Sequence, residues 1–334
     1  MNQKITIVGA GSFGSAIGQI MTDNGYEVLY YTNSKEQMKE INEGGTNQYY
    51  FEDLRFANTV RATTSMAEAM AFSNYVVMAL PSDIFRVVLH QLNLEIKEPK
   101  IFISVSKGME NQTNKLLSTI IEEEIDQLEG VVVLSGPSHA EELVERHFTA
   151  ITASSKNMDL ACAVQDMFSN QYLRVYTVDD VLGVQLCACV KNILAIASGI
   201  VYGMGYGDNT RAALITRGLN EMIRYGKFKG AQISTFFGLA GLGDLIVTAT
   251  SYHSRNFQTG LRIGKGMSGT EAIRASKTVV EGAKATKVVY EDIKNHNIEM
   301  PITEAVYKVL YEDAKPEKIM ETIIKRDLKY ECIG

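Results

Sequence analysis

A two-part α/β architecture, an N-terminal doubly wound parallel sheet followed by an all-helical second half, is the fold this sequence predicts. Three observations carry it. Short apolar strands alternate with amphipathic helical stretches through the first 180 residues, and such alternation produces a parallel sheet with helices on both faces. After about Asp180 the strand signals fade and long helical runs take over. The chain has 334 residues, more than one compact core usually holds, so two domains are expected, 1–180 and 181–334.

The strands are read in order at Ile5–Val8, Glu27–Tyr31, Tyr75–Leu80, Ile101–Val105 and Val131–Leu134, each with a turn signal close by. Thr149–Ala153 and Leu173–Val178 are expected to extend the same sheet. Helical periodicity fills several of the gaps, as in Phe13–Asn24 and Thr113–Leu128. In the second half it marks Val181–Met204, Arg211–Tyr225, Val280–Lys294 and Ile302–Tyr311, interrupted by glycine-rich loops near Gly238–Gly243 and Gly264–Gly269.

Composition narrows the function classes. With 46% hydrophobic and 22% charged residues the chain reads as an ordinary globular protein. A formal charge of −6 speaks against a nucleic-acid surface, which needs clustered positive charge. No secretory signal is expected, because the N-terminus reaches a glycine turn within ten residues. Membrane insertion is not expected either: the apolar run Val181–Met204 carries Gln185, Lys191 and Asn192, and a central lysine is costly in lipid. A cytoplasmic location follows as the expectation. Cys162, Cys187, Cys189 and Cys332 lack framework spacing, and the five histidines form no ligand pair, so neither a disulfide nor a metal is predicted.

The most informative segment is Gly9-Ala-Gly11-Ser-Phe-Gly14, which follows an apolar strand directly and opens a helix. Gly9 makes the tight turn, Gly11 lets backbone approach a pyrophosphate, and Gly14 permits close helix–strand contact. The helix behind it offers free N–H groups and its positive dipole end to the phosphates. This is a Rossmann-type dinucleotide-binding loop, so NAD or NADP is the expected cofactor. The second strand ends Thr32-Asn33-Ser34-Lys35, without the acidic residue that binds the ribose of NAD. Asn33, Ser34 and Lys35 are able to hydrogen-bond a 2′-phosphate, or to form a polar turn touching no cofactor.

Hydride transfer to a carbonyl needs a proton donor beside the developing alkoxide, and a lysine serves when burial lowers its pKa. Lys191, inside an apolar helix, is the best candidate, with a structural ion pair as the equal alternative. Lys107 stands at a strand end, where ligands of doubly wound folds bind, although a solvated turn is the commoner fate. Gly136 and Ser138 also follow a strand, and Ser138 is expected to cap the next helix. Asp244 ends a glycine-rich loop. Ser254-Arg255-Asn256 offers a hydroxyl, a guanidinium and an amide together, a set suited to phosphate.

Taken in order, these segments resemble the bacterial-type NAD(P)-dependent sn-glycerol-3-phosphate dehydrogenase family. The resemblance rests on Gly9–Gly14, Ser106-Lys-Gly108, Ser135-Gly-Pro-Ser-His-Ala140, Gly183-Val-Gln-Leu and Val190-Lys-Asn192. It continues through Asn209–Gly218, Gly238–Leu245, His253-Ser-Arg-Asn256, Val280-Glu-Gly282 and Met300-Pro-Ile302. It implies reversible reduction of dihydroxyacetone phosphate to sn-glycerol 3-phosphate, the backbone precursor of phospholipids. It implies Lys191 as catalytic acid/base, and Lys107, Gly136, Ser138, Asp244, Ser254, Arg255 and Asn256 as substrate contacts. For the cofactor it implies Ser12, Phe13, Tyr50, Ala140, Val279 and Glu281, with Lys107 and Arg255 close to both ligands. Many members carry arginine or histidine where this chain has Asn33, which leaves the preference between NADH and NADPH open.

Two other classes share the plan. β-Hydroxyacid dehydrogenases and ketopantoate reductase act on carboxylates, so phosphate dependence of turnover separates them. A non-catalytic cofactor sensor has no need of Lys191 and Arg255, and both are retained. A homodimer is a further expectation, drawn from the helical half.

Overall fold

The computed structural model describes residues 3–110, 113–276 and 279–324. The chain separates into two compact units: Met1–Ser106 with Lys115–Val181, and Lys107–Asn114 with Leu182–Gly334. The segment 107–114 therefore groups with the second unit although it follows a strand of the first.

The first unit is built on strands β1 (Lys4–Val8), β2 (Glu27–Tyr31), β3 (Val60–Thr63), β4 (Tyr75–Met78), β5 (Lys100–Ser104), β6 (Leu128–Ser135), β7 (Thr149–Ser154) and β8 (Leu173–Val178). They form one eight-stranded sheet in the order β3-β2-β1-β4-β5-β6-β7-β8. All neighbours run parallel except β6 and β7, so β7 and β8 run against the rest. The order reverses between β1 and β4, and that switch point is where doubly wound sheets bind ligands. β3 has no counterpart in the sequence reading; it is only four residues long and exposes Arg61.

The helices of this unit are α1 (Ser12–Asp23), α2 (Lys35–Lys39), α3 (Met66–Phe72), α4 (Phe85–Asn93), α5 (Leu117–Glu124), α6 (Ala140–Val144) and α7 (Met158–Phe168). Both faces of the sheet are buried. Ile5 and Ile7 of β1, Val77 of β4 and Ile103 of β5 join one core with Ile17 and Ile20 of α1 and Phe168 of α7. Val76, Met78 and Phe102 point the other way and pack with Phe85 and Leu89 of α4 and Ile120 and Ile121 of α5. That alternation is the period-two rule of a strand applied to a sheet with no wet face. The helix expected over 113–128 is shorter: α5 stops at Glu124, Ile125 is extended, and β6 begins at Leu128.

The second unit is helical: α8 (Val181–Gly203), α9 (Asp208–Lys229), α10 (Ile233–Phe237), α11 (Asp244–Thr250), α12 (Arg255–Gly264), α13 (Gly269–Arg274), α14 (Glu281–Asn295), α15 (Pro301–Tyr311) and α16 (Glu317–Ile324). α8 is long and apolar enough to cross a membrane, yet its apolar window is wholly buried in protein. A β-carbon on Gly260 of α12 would lie 2.0 Å from Ile196 O of α8, and one on Gly264 would lie 2.2 Å from Ile200 O. From the other side, Gly199 and Gly203 would meet Phe257 O at 2.1 Å and Leu261 O at 2.5 Å. Each helix thus carries a Gly-x-x-x-Gly pair, and the two run parallel, backbone against backbone. Two further differences from the sequence reading belong here. The glycine-rich stretch at 238–243 is a π-helical turn, Leu239–Gly243, leading directly into α11. Ser254-Arg255-Asn256, read from the sequence only as a polar set suited to phosphate, forms the N-cap and first residues of α12. Cys332 lies outside the described residues.

Candidate active site

In the first unit the glycine turn joins β1 to α1. Gly9 has φ +105°, a left-handed region open to glycine, and a β-carbon on Gly14 would lie 2.0 Å from Gly9 O. At Gly11 a β-carbon would meet only the Tyr50 hydroxyl, 4.0 Å away. Among the described residues no side chain caps α1 and no acid stands in its first turn. Ser12 and Phe13 lie in that turn, with Phe13 packed on the core. Open backbone amides and space above Gly11 fit a pyrophosphate.

Two residues that sequence reading overlooked fix this turn. Buried Asn47 donates to Ala10 O and to Ser15 Oγ, both at 2.9 Å. Gln37 donates to the same Ala10 O at 2.7 Å. Asn33 is exposed past the end of β2, and Ser34 caps α2 by accepting from Gln37 N at 3.1 Å. Gly136 and Ser138 lie in the turn between β6 and α6, and Ala140 opens α6. Ser138, expected from the sequence to cap that helix, does not do so. His139 occupies the N-cap, and Ser138 Oγ donates to Gly136 O at 3.0 Å.

The second unit gathers Lys107, Lys191 and Asp244. Asp244 opens α11, and Thr248 stands one turn later on the same face. Lys191 Nζ, from the middle of α8, pairs with Asp244 Oδ1 and donates to Thr248 Oγ1 at 2.8 Å. Lys107 Nζ lies 3.0 Å from Asp244 Oδ2, so one carboxylate serves two ammonium groups. Thr248 Oγ1 in turn donates to Asp244 Oδ1 at 3.3 Å. Burial pushes the Lys191 ammonium well below the ordinary lysine range; Asp244 opposes that shift and Lys107 adds to it. Burial alone would raise the Asp244 carboxyl, but the two lysines outweigh it and hold it below the usual carboxylate range.

The first turn of α12 lies beside this cluster in the chain of contacts. Ser254 is its N-cap, accepting from Phe257 N at 3.2 Å; Arg255 follows with an exposed side chain. Asn256 is buried: its amide donates to Asn192 Oδ1 at 2.9 Å, and its Oδ1 accepts from Gly282 N at 2.9 Å. One of its two amide hydrogens is therefore used within the fold. Through Gly282 the first turn of α14, with Val279 before it and Glu281 at its start, is tied to α12. A β-carbon on Gly282 would lie 2.5 Å from Asn192 O, so only glycine fits that approach.

A dinucleotide loop at the switch point of a doubly wound sheet, in a chain whose helical unit carries a buried lysine on a shared carboxylate, defines a nicotinamide-dependent dehydrogenase. Models of the NAD-dependent glycerol-3-phosphate dehydrogenase N-terminus and C-terminus match residues 4–161 and 180–321. A glycerol-3-phosphate dehydrogenase of Staphylococcus epidermidis, named for NAD(P)+, is 46% identical over 331 residues, 98% of this chain and 100% of that one. The crystal structure of a Coxiella burnetii glycerol-3-phosphate dehydrogenase superposes with a TM-score of 0.92 at 34% identity, covering 97% of this chain and 99% of that one. This chain belongs to the NAD-dependent glycerol-3-phosphate dehydrogenase family. A ketopantoate reductase from Ralstonia eutropha also superposes, with a TM-score of 0.61 at 14% identity over 95% of this chain and 100% of that one, a likeness of fold alone.

Proposed function

We propose that this chain catalyses the reversible reduction of dihydroxyacetone phosphate to sn-glycerol 3-phosphate with NAD(P)H, supplying the backbone of phospholipids. The observation that carries the assignment of roles is the buried pairing of Lys191 with Asp244.

NAD(P)H, when bound, supplies the hydride. The carbonyl that accepts it becomes an alkoxide and needs a proton. Lys191 donates it, because an ammonium whose pKa is depressed by burial gives up its proton more readily than an ordinary lysine. Asp244 and Thr248 hold Nζ in place, so the donor is oriented before the substrate arrives. With both lysines protonated the cluster has one positive charge in excess, which favours the developing oxyanion.

Arg255, at the start of α12, holds the substrate phosphate with Ser254 and Asn256, while Gly136 and Ser138 complete the substrate contacts. Gly9, Gly11, Ser12, Phe13 and Gly14 hold the pyrophosphate, Tyr50 is assigned to the cofactor beside Gly11, and Asn33 to the adenosine ribose. Ala140, Val279 and Glu281 are assigned to the cofactor, shared with Lys107 and Arg255. Residence in the cytoplasm and assembly as a homodimer belong to the same proposal; fractionation and light scattering test them.

The direct test follows nucleotide oxidation by absorbance with dihydroxyacetone phosphate, dihydroxyacetone and ketopantoate, each with NADH and with NADPH. Turnover confined to the phosphorylated ketone is expected. Turnover of ketopantoate without phosphate dependence would move the chain to the carboxylate-reducing class.

A further inference from the structure

We propose that Glu36 sets the choice between the two nicotinamide cofactors in this chain, favouring NADH by opposing the 2′-phosphate of NADPH. The inference rests on the reading of Gly9–Gly14 as the dinucleotide loop. In doubly wound folds the adenosine ribose lies off the end of the second strand. A carboxylate there selects the free 2′-hydroxyl, and a cation accommodates the phosphate.

Residue 33, just past the strand end, is asparagine and is neither. The fold changes that reading. β2 ends at Tyr31 and α2 starts at Lys35, so Glu36 stands in the first helical turn, four residues after Thr32. Ser34 Oγ donates to Glu36 Oε2 at 2.9 Å while accepting from Gln37 N at 3.1 Å. The one hydroxyl in the turn that is suited to a phosphate is thus engaged, and it holds a carboxylate in its place. Glu36 stays ionised: its own backbone N–H and the Ser34 hydroxyl keep it below the usual carboxylate range.

The turn is also fixed with respect to the pyrophosphate end. Thr32 Oγ1 accepts from Ser34 N at 3.2 Å and donates to Gln37 Oε1 at 2.5 Å. Gln37 Nε2 reaches Ala10 O at 2.7 Å, inside the glycine turn, and Asn47 Oδ1 at 3.2 Å. A cofactor anchored at Gly11 therefore meets Ser34 and Glu36 at a set distance. Lys35 and Glu36 are both exposed and cancel in charge, and Asn33 adds none. The turn lacks the net positive charge that a phosphate bearing close to two negative charges requires. Like charges a few ångströms apart in screened water alter affinity on the order of ten-fold.

Calorimetric titration of the full-length protein with NADH and with NADPH, in wild type and Glu36→Gln, tests this without reference to turnover. Wild type is expected to bind NADH about ten-fold more tightly. Glu36→Gln keeps a partner for Ser34, so NADPH affinity should rise several-fold while NADH affinity stays the same. Equal or tighter binding of NADPH by wild type overturns the inference, and so does a variant that leaves the ratio unchanged. Failure of wild type to bind either nucleotide would remove the dinucleotide-loop reading itself and the inference with it.

Discussion

Lys191 of α8 and Asp244 of α11 form an ion pair with only 4% and 1% of their side chains exposed. Withdrawing two charges from water costs several kcal/mol per ion in general, and a buried pair is weak evidence for stability. Here the pair is supplemented: Lys107 reaches the second carboxylate oxygen and Thr248 bridges both partners. A fold that brings two ammonium groups to one buried carboxylate holds a lysine whose pKa its neighbours tune. Of the two readings that the sequence left open for Lys191, the ion pair is present in the fold, and the acid role is the one proposed above.

Replacing Lys191 with methionine keeps the length and apolar stem but removes the proton. General acid catalysis typically contributes about 10²–10⁴-fold, so kcat for dihydroxyacetone phosphate should fall by that order while the Kd for NADH is unchanged. A variant with near-normal kcat would demote Lys191 to a structural role.

The two charges beside Lys191 act on it with opposite sign, and the pH profile should show it. Reduction needs Lys191 protonated, so kcat/KM for dihydroxyacetone phosphate falls as pH rises through its pKa. Asp244 raises that pKa and Lys107 lowers it. Asp244→Asn should therefore move the alkaline limb to lower pH, and Lys107→Met should move it to higher pH. Residual activities suffice, because the reading is the position of the limb. Shifts in the same direction in both variants would place the titrating group elsewhere.

The nucleotide loop was legible because strand, glycines and helix are consecutive, so local periodicity and turn chemistry determine it together. The Lys191 partner was not legible, because Asp244 lies 53 residues along the chain and no periodic signal connects two helices. Gly238–Gly243 reads as a loop by composition, yet the glycines serve packing: a β-carbon on Gly241 would lie 2.2 Å from Phe236 O. Ser254 has the residue type of an N-cap, yet beside Arg255 and Asn256 it reads as part of a polar cluster, because polar residues that start a helix resemble those of a turn. Glu36 was overlooked for a related reason. It is outside the strand end where an acid is sought, and only the backbone turn returns it.

The α8–α12 contact supplies a stability test. Gly260→Ala forces a methyl group against Ile196 O, backbone that cannot rotate away. Overpacking of this kind costs about 1–3 kcal/mol or more, read as a lower urea midpoint. Gly207→Ala is the control: a β-carbon there meets nothing within 4 Å, and a smaller loss of about 1 kcal/mol or less is expected from alanine at a helix N-cap. Equal effects would show that the backbone contact is not what the glycines secure.

Glu221 of α9, buried, supplies the cap that α15 lacks locally. Its carboxylate accepts from Ile302 N at 2.6 Å, from Thr303 N at 3.1 Å and from Thr303 Oγ1 at 3.0 Å. Glu221→Gln replaces one acceptor oxygen by an amide that faces a donor, leaving a buried N–H without a partner. A loss of about 1–3 kcal/mol is expected in denaturant unfolding. The anion also favours the positive end of α15, so the charge and the hydrogen bonds act together. An unchanged unfolding midpoint would mean that water satisfies these amides as well as Glu221 does.

The substrate phosphate provides the sharpest test of the proposed site. The substrate has a carbonyl that reacts and a phosphate that does not. Holding the remote phosphate lets binding energy position the carbonyl, so its loss should lower kcat as well as raise KM. Arg255 is exposed at the first position of α12, and its planar fork can donate two hydrogen bonds to phosphate oxygens at once. The measurement is kcat/KM for dihydroxyacetone phosphate and for dihydroxyacetone in wild type, Arg255→Ala and Arg255→Lys. Wild type should strongly favour the phosphorylated ketone, and Arg255→Ala should lose most of that preference. Arg255→Lys keeps the charge but not the fork, so it should remain well below wild type. If Arg255→Ala loses activity equally on both ketones, the guanidinium serves the cofactor or the fold, and the phosphate is held by other donors.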